Sequence, residues 1–108
     1  MAYNGAMGNE QIIASQQLVL ERLRSWRGEF AQRYTVRRLG IFGSFARDCA
    51  RADSDLDLMV EFGELTFDHF MDLKFTLEER LGRKVDLVTS DAIKPRLRPI
   101  IEAELVDV

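Results

Sequence analysis

Apolar residues recur at Ile12, Val19, Leu23, Trp26 and Phe30, with Gln, Glu and Arg between them, the spacing of a single helical stripe. Ile13 and Leu20 widen the stripe, and Asn9 is a fitting N-cap with Glu10 and Gln11 in the first turn. An amphipathic helix over residues 9–30, packed on the domain's sheet, follows. The period then changes. Thr35-Val36-Arg37-Arg38-Leu39-Gly40-Ile41-Phe42 reads as a first strand, in which Gly40 allows close backbone approach, and Ser44 to about Ala50 as a short helix. A polar turn, Arg51-Ala52-Asp53-Ser54, leads into a second strand over Asp55–Phe62.

Gly63-Glu64-Leu65 makes the next turn, and Thr66 is placed to cap a long helix whose face carries Phe67, Phe70, Met71, Lys74, Leu77 and Leu81. Lys74 alone breaks that stripe, and its methylene stem can lie along it. Gly82 is a sound helix stop, and Lys84-Val85-Asp86-Leu87-Val88 returns to strand. A short turn at Asp91–Lys94, a helix over Arg96–Ala103 with Pro99 near its start, and a possible edge strand at Leu105–Val108 complete the order. Strands separated by helices predict an α/β (α+β) sandwich on a small mixed sheet. The link between the first two strands is too short for an ordinary parallel crossover, so that pair should be antiparallel.

Composition narrows what such a domain can do. A chain of 108 residues, 46% hydrophobic and 31% charged, is expected to form one domain over residues 9–108 behind a frayed start at residues 1–8. A net charge of −3 gives no basic face for gripping a DNA duplex. One cysteine, Cys49, excludes an internal disulfide or a thiolate metal site and fits a reducing cytoplasm. No apolar run approaches the roughly 20 residues that span a bilayer.

Chemistry concentrates at three points. Side chains on a strand repeat every two residues, so Asp55 and Asp57 face one side while Leu56, Leu58 and Val60 face the other. Two such carboxylates repel unless a cation lies between them. Gly43-Ser44, opening a helix, offers backbone N–H groups to phosphate. Asp86 stands between Val85 and Leu87, a costly position unless it faces solvent or a metal. If its strand neighbours that of Asp57, three carboxylates converge into an oxygen-only set suited to Mg²⁺ or Mn²⁺, with room for two metals and in-line phosphoryl transfer. Other candidates read more simply. His69 is a surface or capping residue, Cys49 a small, partly buried side chain, and Lys94, Arg96 and Arg98 a solvated basic run near the strand of Asp86, or a contact to nucleotide or an acidic acceptor.

Gly43-Ser44-Phe45-Ala46-Arg47, Ser54-Asp55-Leu56-Asp57-Leu58-Met59-Val60 and Val85-Asp86-Leu87-Val88 together resemble the minimal nucleotidyltransferases of the DNA polymerase beta superfamily. Within it the chain is similar to the small nucleotidyltransferase-domain proteins paired with helical HEPN-domain toxins, and the likeness runs from about Val36 to Val108. The resemblance implies a polymerase-beta-type fold, Mg²⁺ with a nucleoside triphosphate, and transfer of the nucleoside monophosphate to an acceptor. Carried onto these residues, it makes Asp55 and Asp57 metal ligands and Asp86 a ligand of the catalytic metal that can take the acceptor's proton. Gly43 would admit the phosphates, Ser44 would donate its hydroxyl and N–H to them, and Arg47 would neutralise phosphate charge or form an exposed salt bridge. The family often has Gly after Ala-Arg where this chain has Asp48, which either weakens phosphate binding or caps the turn.

The leading expectation is therefore a cytoplasmic enzyme that moves AMP from ATP onto a hydroxyl of a HEPN-type toxin, silencing it as an antitoxin. The partner would supply much of the acceptor surface, and a homodimer or hetero-oligomer is open. Two alternatives remain: an antitoxin that acts by binding alone, and an enzyme that modifies a small molecule such as an antibiotic.

Overall fold

The computed structural model describes residues 16–51 and 53–108. Asn9, Glu10, Gln11, Ile12 and Ile13 lie outside the described residues, so the start of the first helix and its cap do too. The elements run α1 (Gln16–Tyr34), β1 (Val36–Phe42), α2 (Gly43–Ala46), β2 (Leu56–Phe62), α3 (Phe67–Leu81), β3 (Val85–Thr89), a 3₁₀ turn (Ser90–Ala92), α4 (Arg98–Glu104) and β4 (Val106–Asp107).

The sheet order is β3-β2-β1-β4. β1 is antiparallel to both β2 and β4, and β2 is parallel to β3, so the sheet is mixed and the short first connection does make an antiparallel hairpin. The parallel pair is reached through α3, which supplies the length a crossover needs.

One sheet face carries the core. Leu39 and Ile41 of β1, Leu56, Leu58 and Val60 of β2, and Val85 and Leu87 of β3 are all buried against Val19, Leu20, Leu23, Phe30 and Tyr34 of α1 and Leu73, Leu77 and Leu81 of α3. The pairing of β1 with β2 slips between Val36 and Arg38, and this bulge lets Val36 and Leu39, three positions apart, both join that core. The stripe of α3 differs from the expected one. It centres on Leu73, with Phe70 packed at its edge, while Phe67 is 78% exposed. Phe67 opens the helix beyond the edge of the sheet's apolar cover, so a spacing argument alone overextends the stripe. The helix ends behave as read: Thr66 Oγ1 accepts from His69 N, and Gly82 closes the helix at φ 65°.

α1 continues past Phe30 to Tyr34, whose hydroxyl hydrogen-bonds Thr76 at 2.9 Å. Arg80 of α3 makes two hydrogen bonds to Glu29 of α1, at 2.9 and 2.6 Å, and with Arg33 holds that carboxyl down at about 2. Thr35, at φ 57°, links the helix to β1; its Oγ1 and carbonyl engage Gly63 and Glu64, which over-determines a backbone a β-branched residue rarely adopts.

The opposite face, on which Arg38, Gly40, Asp57 and Glu61 alternate, receives α4. Arg38 pairs with Glu61, Glu102 and Asp107, joining β1, β2, α4 and β4. A Cβ on Gly40 would come within 2.9 Å of the Leu105 side chain. The close approach at Gly40 is thus by a side chain at the foot of α4, not by backbone near the acidic residues.

Candidate active site

β2 and β3 run in the same direction, and their register sets Leu56 beside Val85 and Asp57 beside Asp86. The two aspartates therefore stand at the same end of neighbouring strands, on the face away from the main core. Asp55 precedes β2 by one residue and is exposed, as is Asp86, whereas Asp57 is half-buried. On the other side Asp57 pairs with Phe42, the last residue of β1. The chain turns there, and Gly43 takes φ 73°. A Cβ on Gly43 would lie 2.1 Å from Asp57 Oδ2, so the carboxylate rests against the bare glycine. Glycine serves twice at this position, by permitting the left-handed backbone and by leaving space for Asp57.

Burial and the neighbouring charges of Asp86 and Asp55 push the Asp57 carboxyl up to about 6, with Glu104 adding to the rise and Arg47 opposing it. Asp55 and Asp86 are thus near enough for their charges to act on Asp57. Among the described residues, however, no three Asp, Glu, His or Cys side chains are drawn together closely enough to cage a metal by themselves. Mutual repulsion explains an open cluster, and a hard cation that takes its remaining ligands from water and phosphate needs no closed one.

The turn itself is tighter than expected. α2 ends at Ala46, because Asp48 adopts φ 57° and its N–H returns to the Phe45 carbonyl at 3.1 Å. This is why glycine suits the place after Ala-Arg: the position is left-handed, and aspartate is among the few other residues that tolerate it. Asp48 thus serves as the turn's stop. With only one helical turn, the dipole is slight and the local N–H groups carry what anion affinity the turn has. Cys49, expected to be partly buried, is exposed just beyond this stop.

Three residues that the sequence pattern did not single out hold this geometry. Gln16 Nε2 donates to the carbonyls of Phe45 and Ala46 at 3.1 and 2.8 Å, satisfying the end of α2 from the start of the described helix. Arg83 donates to the Ser54 carbonyl, one residue before Asp55, and stacks on the Phe45 ring, 4.9 Å from its centroid. Glu104, at the end of α4, accepts from Gly43 N at 2.8 Å and from Arg47 at 3.1 Å. No short-range motif announces any of them, since each acts across 29 or more residues of chain.

The other candidates lie elsewhere. His69 sits in the first turn of α3 with Nδ1 2.7 Å from the Glu64 carbonyl, a capping role. Lys94, Arg96 and Arg98 follow the far end of β3, and Arg98 donates to the Ser90 carbonyl at 2.7 Å. The basic run is therefore separated from Asp86 by the length of the strand. Among the described residues no helix is long and apolar enough to cross a membrane.

The family model for the nucleotidyltransferase domain matches residues 23–108, and the chain belongs to that family of enzymes. The protein adenylyltransferase MntA of Thermococcus cleftensis is 36% identical over 94 residues, 82% of this chain and 95% of the relative. A solved structure provisionally assigned as a minimal nucleotidyltransferase superposes with a TM-score of 0.69 at 41% identity, covering 82% of this chain and 95% of that one. The toxin-antitoxin MntA-HepT shares the fold at a TM-score of 0.54 and 18% identity, over 85% of this chain and 67% of that one.

Proposed function

We propose that this chain is a Mg²⁺-dependent protein adenylyltransferase that moves AMP from ATP onto a hydroxyl of a HEPN-type toxin and thereby acts as its antitoxin. The observation that carries this reading is the register of Asp57 on Asp86, with Asp57 seated against Gly43. Asp86 and the Gly43–Ser44 turn lie on either side of that one carboxylate, which supports reading the first as proton acceptor and the second as the phosphate-facing turn. Kinship to a protein adenylyltransferase along most of both chains supports the choice of a protein acceptor. The fold shared with a toxin-antitoxin pair supports the kind of partner.

Asp55, Asp57 and Asp86 are the residues that would hold the metal. An all-oxygen set in which Asp57 is pushed up by its acidic neighbours fits a hard divalent cation, since a cation relieves the repulsion. When bound, Mg²⁺ supplies neutralisation of the phosphate charge. Ser44 would donate its hydroxyl and N–H to the triphosphate, and Gly43 would let it approach. Asp86, exposed at the strand edge, would receive the acceptor's proton as its oxygen bonds to the α-phosphorus. The α–β bridging P–O bond breaks in the same displacement and pyrophosphate leaves.

The test is incubation of the chain with ATP, Mg²⁺ and its HEPN-type partner, followed by intact mass. A gain of one or more AMP units on the partner, lost with EDTA and in Asp57→Asn, is the expected outcome. A stable complex of fixed stoichiometry with no mass gain would replace this reading by inhibition through binding alone.

A further inference from the structure

We infer that Glu104 is a positioning residue for the Gly43–Arg47 turn, and that Arg47 serves this latch instead of contacting the nucleotide's phosphates. The inference rests on the functional reading above and adds residues to it. Glu104 uses both carboxylate oxygens: Oε1 accepts from the Gly43 N–H at 2.8 Å and Oε2 from Arg47 at 3.1 Å. Gly43 opens α2, so its N–H has no earlier helical carbonyl to bond, and the carboxylate fills that need. Fixing Gly43 also fixes the surface against which Asp57 Oδ2 rests. A displacement of the turn would therefore reach both the phosphate-facing donors and the central carboxylate.

Glu104 is itself held in place. The next residue, Leu105, packs on Gly40, Val106 pairs with Ile41, and Asp107 pairs with Gly40 and binds Arg38. Two residues earlier Glu102 reaches the same Arg38. The side chain of Glu104 is also the more sheltered partner, 24% exposed against 56% for Arg47. A fourth carboxylate beside three others adds to the repulsion there, and the Arg47 guanidinium offsets it. Arg47 thus makes the presence of Glu104 tolerable, and the pair works as a unit.

The closing experiment is a double-mutant cycle on the full chain, with Arg47→Met, Glu104→Ala, the double variant, and Glu104→Gln, which keeps an acceptor for Gly43 without the charge. Two readouts are taken: KM for ATP against kcat in the adenylyl-transfer assay, and amide hydrogen exchange of residues 43–47 in the chain without nucleotide. A latch predicts that each of Arg47→Met and Glu104→Ala raises KM and lowers kcat together, for about a tenfold loss in kcat/KM, because the phosphate-facing donors and Asp57 shift with the turn. The double variant should be no worse than the worse single, Glu104→Gln should recover part of the loss, and exchange at residues 43–47 should quicken in Glu104→Ala. A lower KM in Glu104→Ala, or additive losses in the double variant, would overturn the inference by showing Arg47 on phosphate. Unchanged exchange at residues 43–47 in Glu104→Ala would overturn it too. Exchange is read without any transfer, so an inactive wild-type chain would count against the functional reading while the latch is still decided.

Discussion

Asp57 faces Asp86 across the parallel pair β2–β3, and the same Asp57 carboxylate rests on the bare Cα of Gly43 at the end of β1. The central acid is therefore in contact with both halves of the site. Its protonation and the space it occupies are the two properties most open to measurement.

Asp57 is pushed up from 3.8 to about 6 by burial and by Asp86 and Asp55. A carboxyl that binds its proton more tightly in the fold than in the unfolded chain stabilises the fold below about pH 4, and that contribution is lost as pH rises through about 6. In metal-free buffer, Asp57→Asn should therefore be more stable than wild type at pH 7 by about 1 kcal/mol once solvent screening is allowed for. That corresponds to about 5 °C in Tm for a domain of this size. The difference should shrink towards zero near pH 4. Thermal denaturation of both proteins across this range checks it, and a wild type more stable than Asp57→Asn at pH 7 would refute the assignment.

Gly43 and Gly82 are both left-handed, at φ 73° and 65°, but their surroundings differ. Among the described residues a Cβ on Gly82 meets nothing within 4 Å, whereas one on Gly43 meets Asp57 Oδ2 at 2.1 Å. Gly82→Ala should cost about 1 kcal/mol from backbone strain alone and leave nucleotidyl transfer unchanged. Gly43→Ala adds the displacement of Asp57 and should lower kcat/KM by about a hundredfold or more. Equal activity in the two variants would separate Gly43 from the chemistry.

Asp48 holds the stop of α2 at φ 57° without being glycine. Asp48→Gly should relieve that strain and raise stability by about 0.5–1 kcal/mol, while Asp48→Ala should bring no gain. Chemical denaturation of the three proteins distinguishes them. A loss in Asp48→Gly would mean that the Asp48 side chain itself, and not the backbone angle, holds the turn.

Much of this protein is written locally in its chain. The alternation around Asp57 sets which side chains share a face, because strand geometry repeats every two residues whatever the neighbours are. Thr66 and Gly82 bound α3, because capping is satisfied within a few residues. The brevity of the Gly43–Asp55 connection already required an antiparallel first pair. What tertiary structure alone decided depends on contacts distant in sequence. The register that sets Asp86 beside Asp57 required α3 to carry β3 back parallel to β2. The stripe of α3 moved to Leu73 because the sheet beneath it, not helical spacing, defines the buried side. Gln16, Arg83 and Glu104 reach the site over 29 to 61 residues, distances at which no spacing rule operates and only packing brings the groups together.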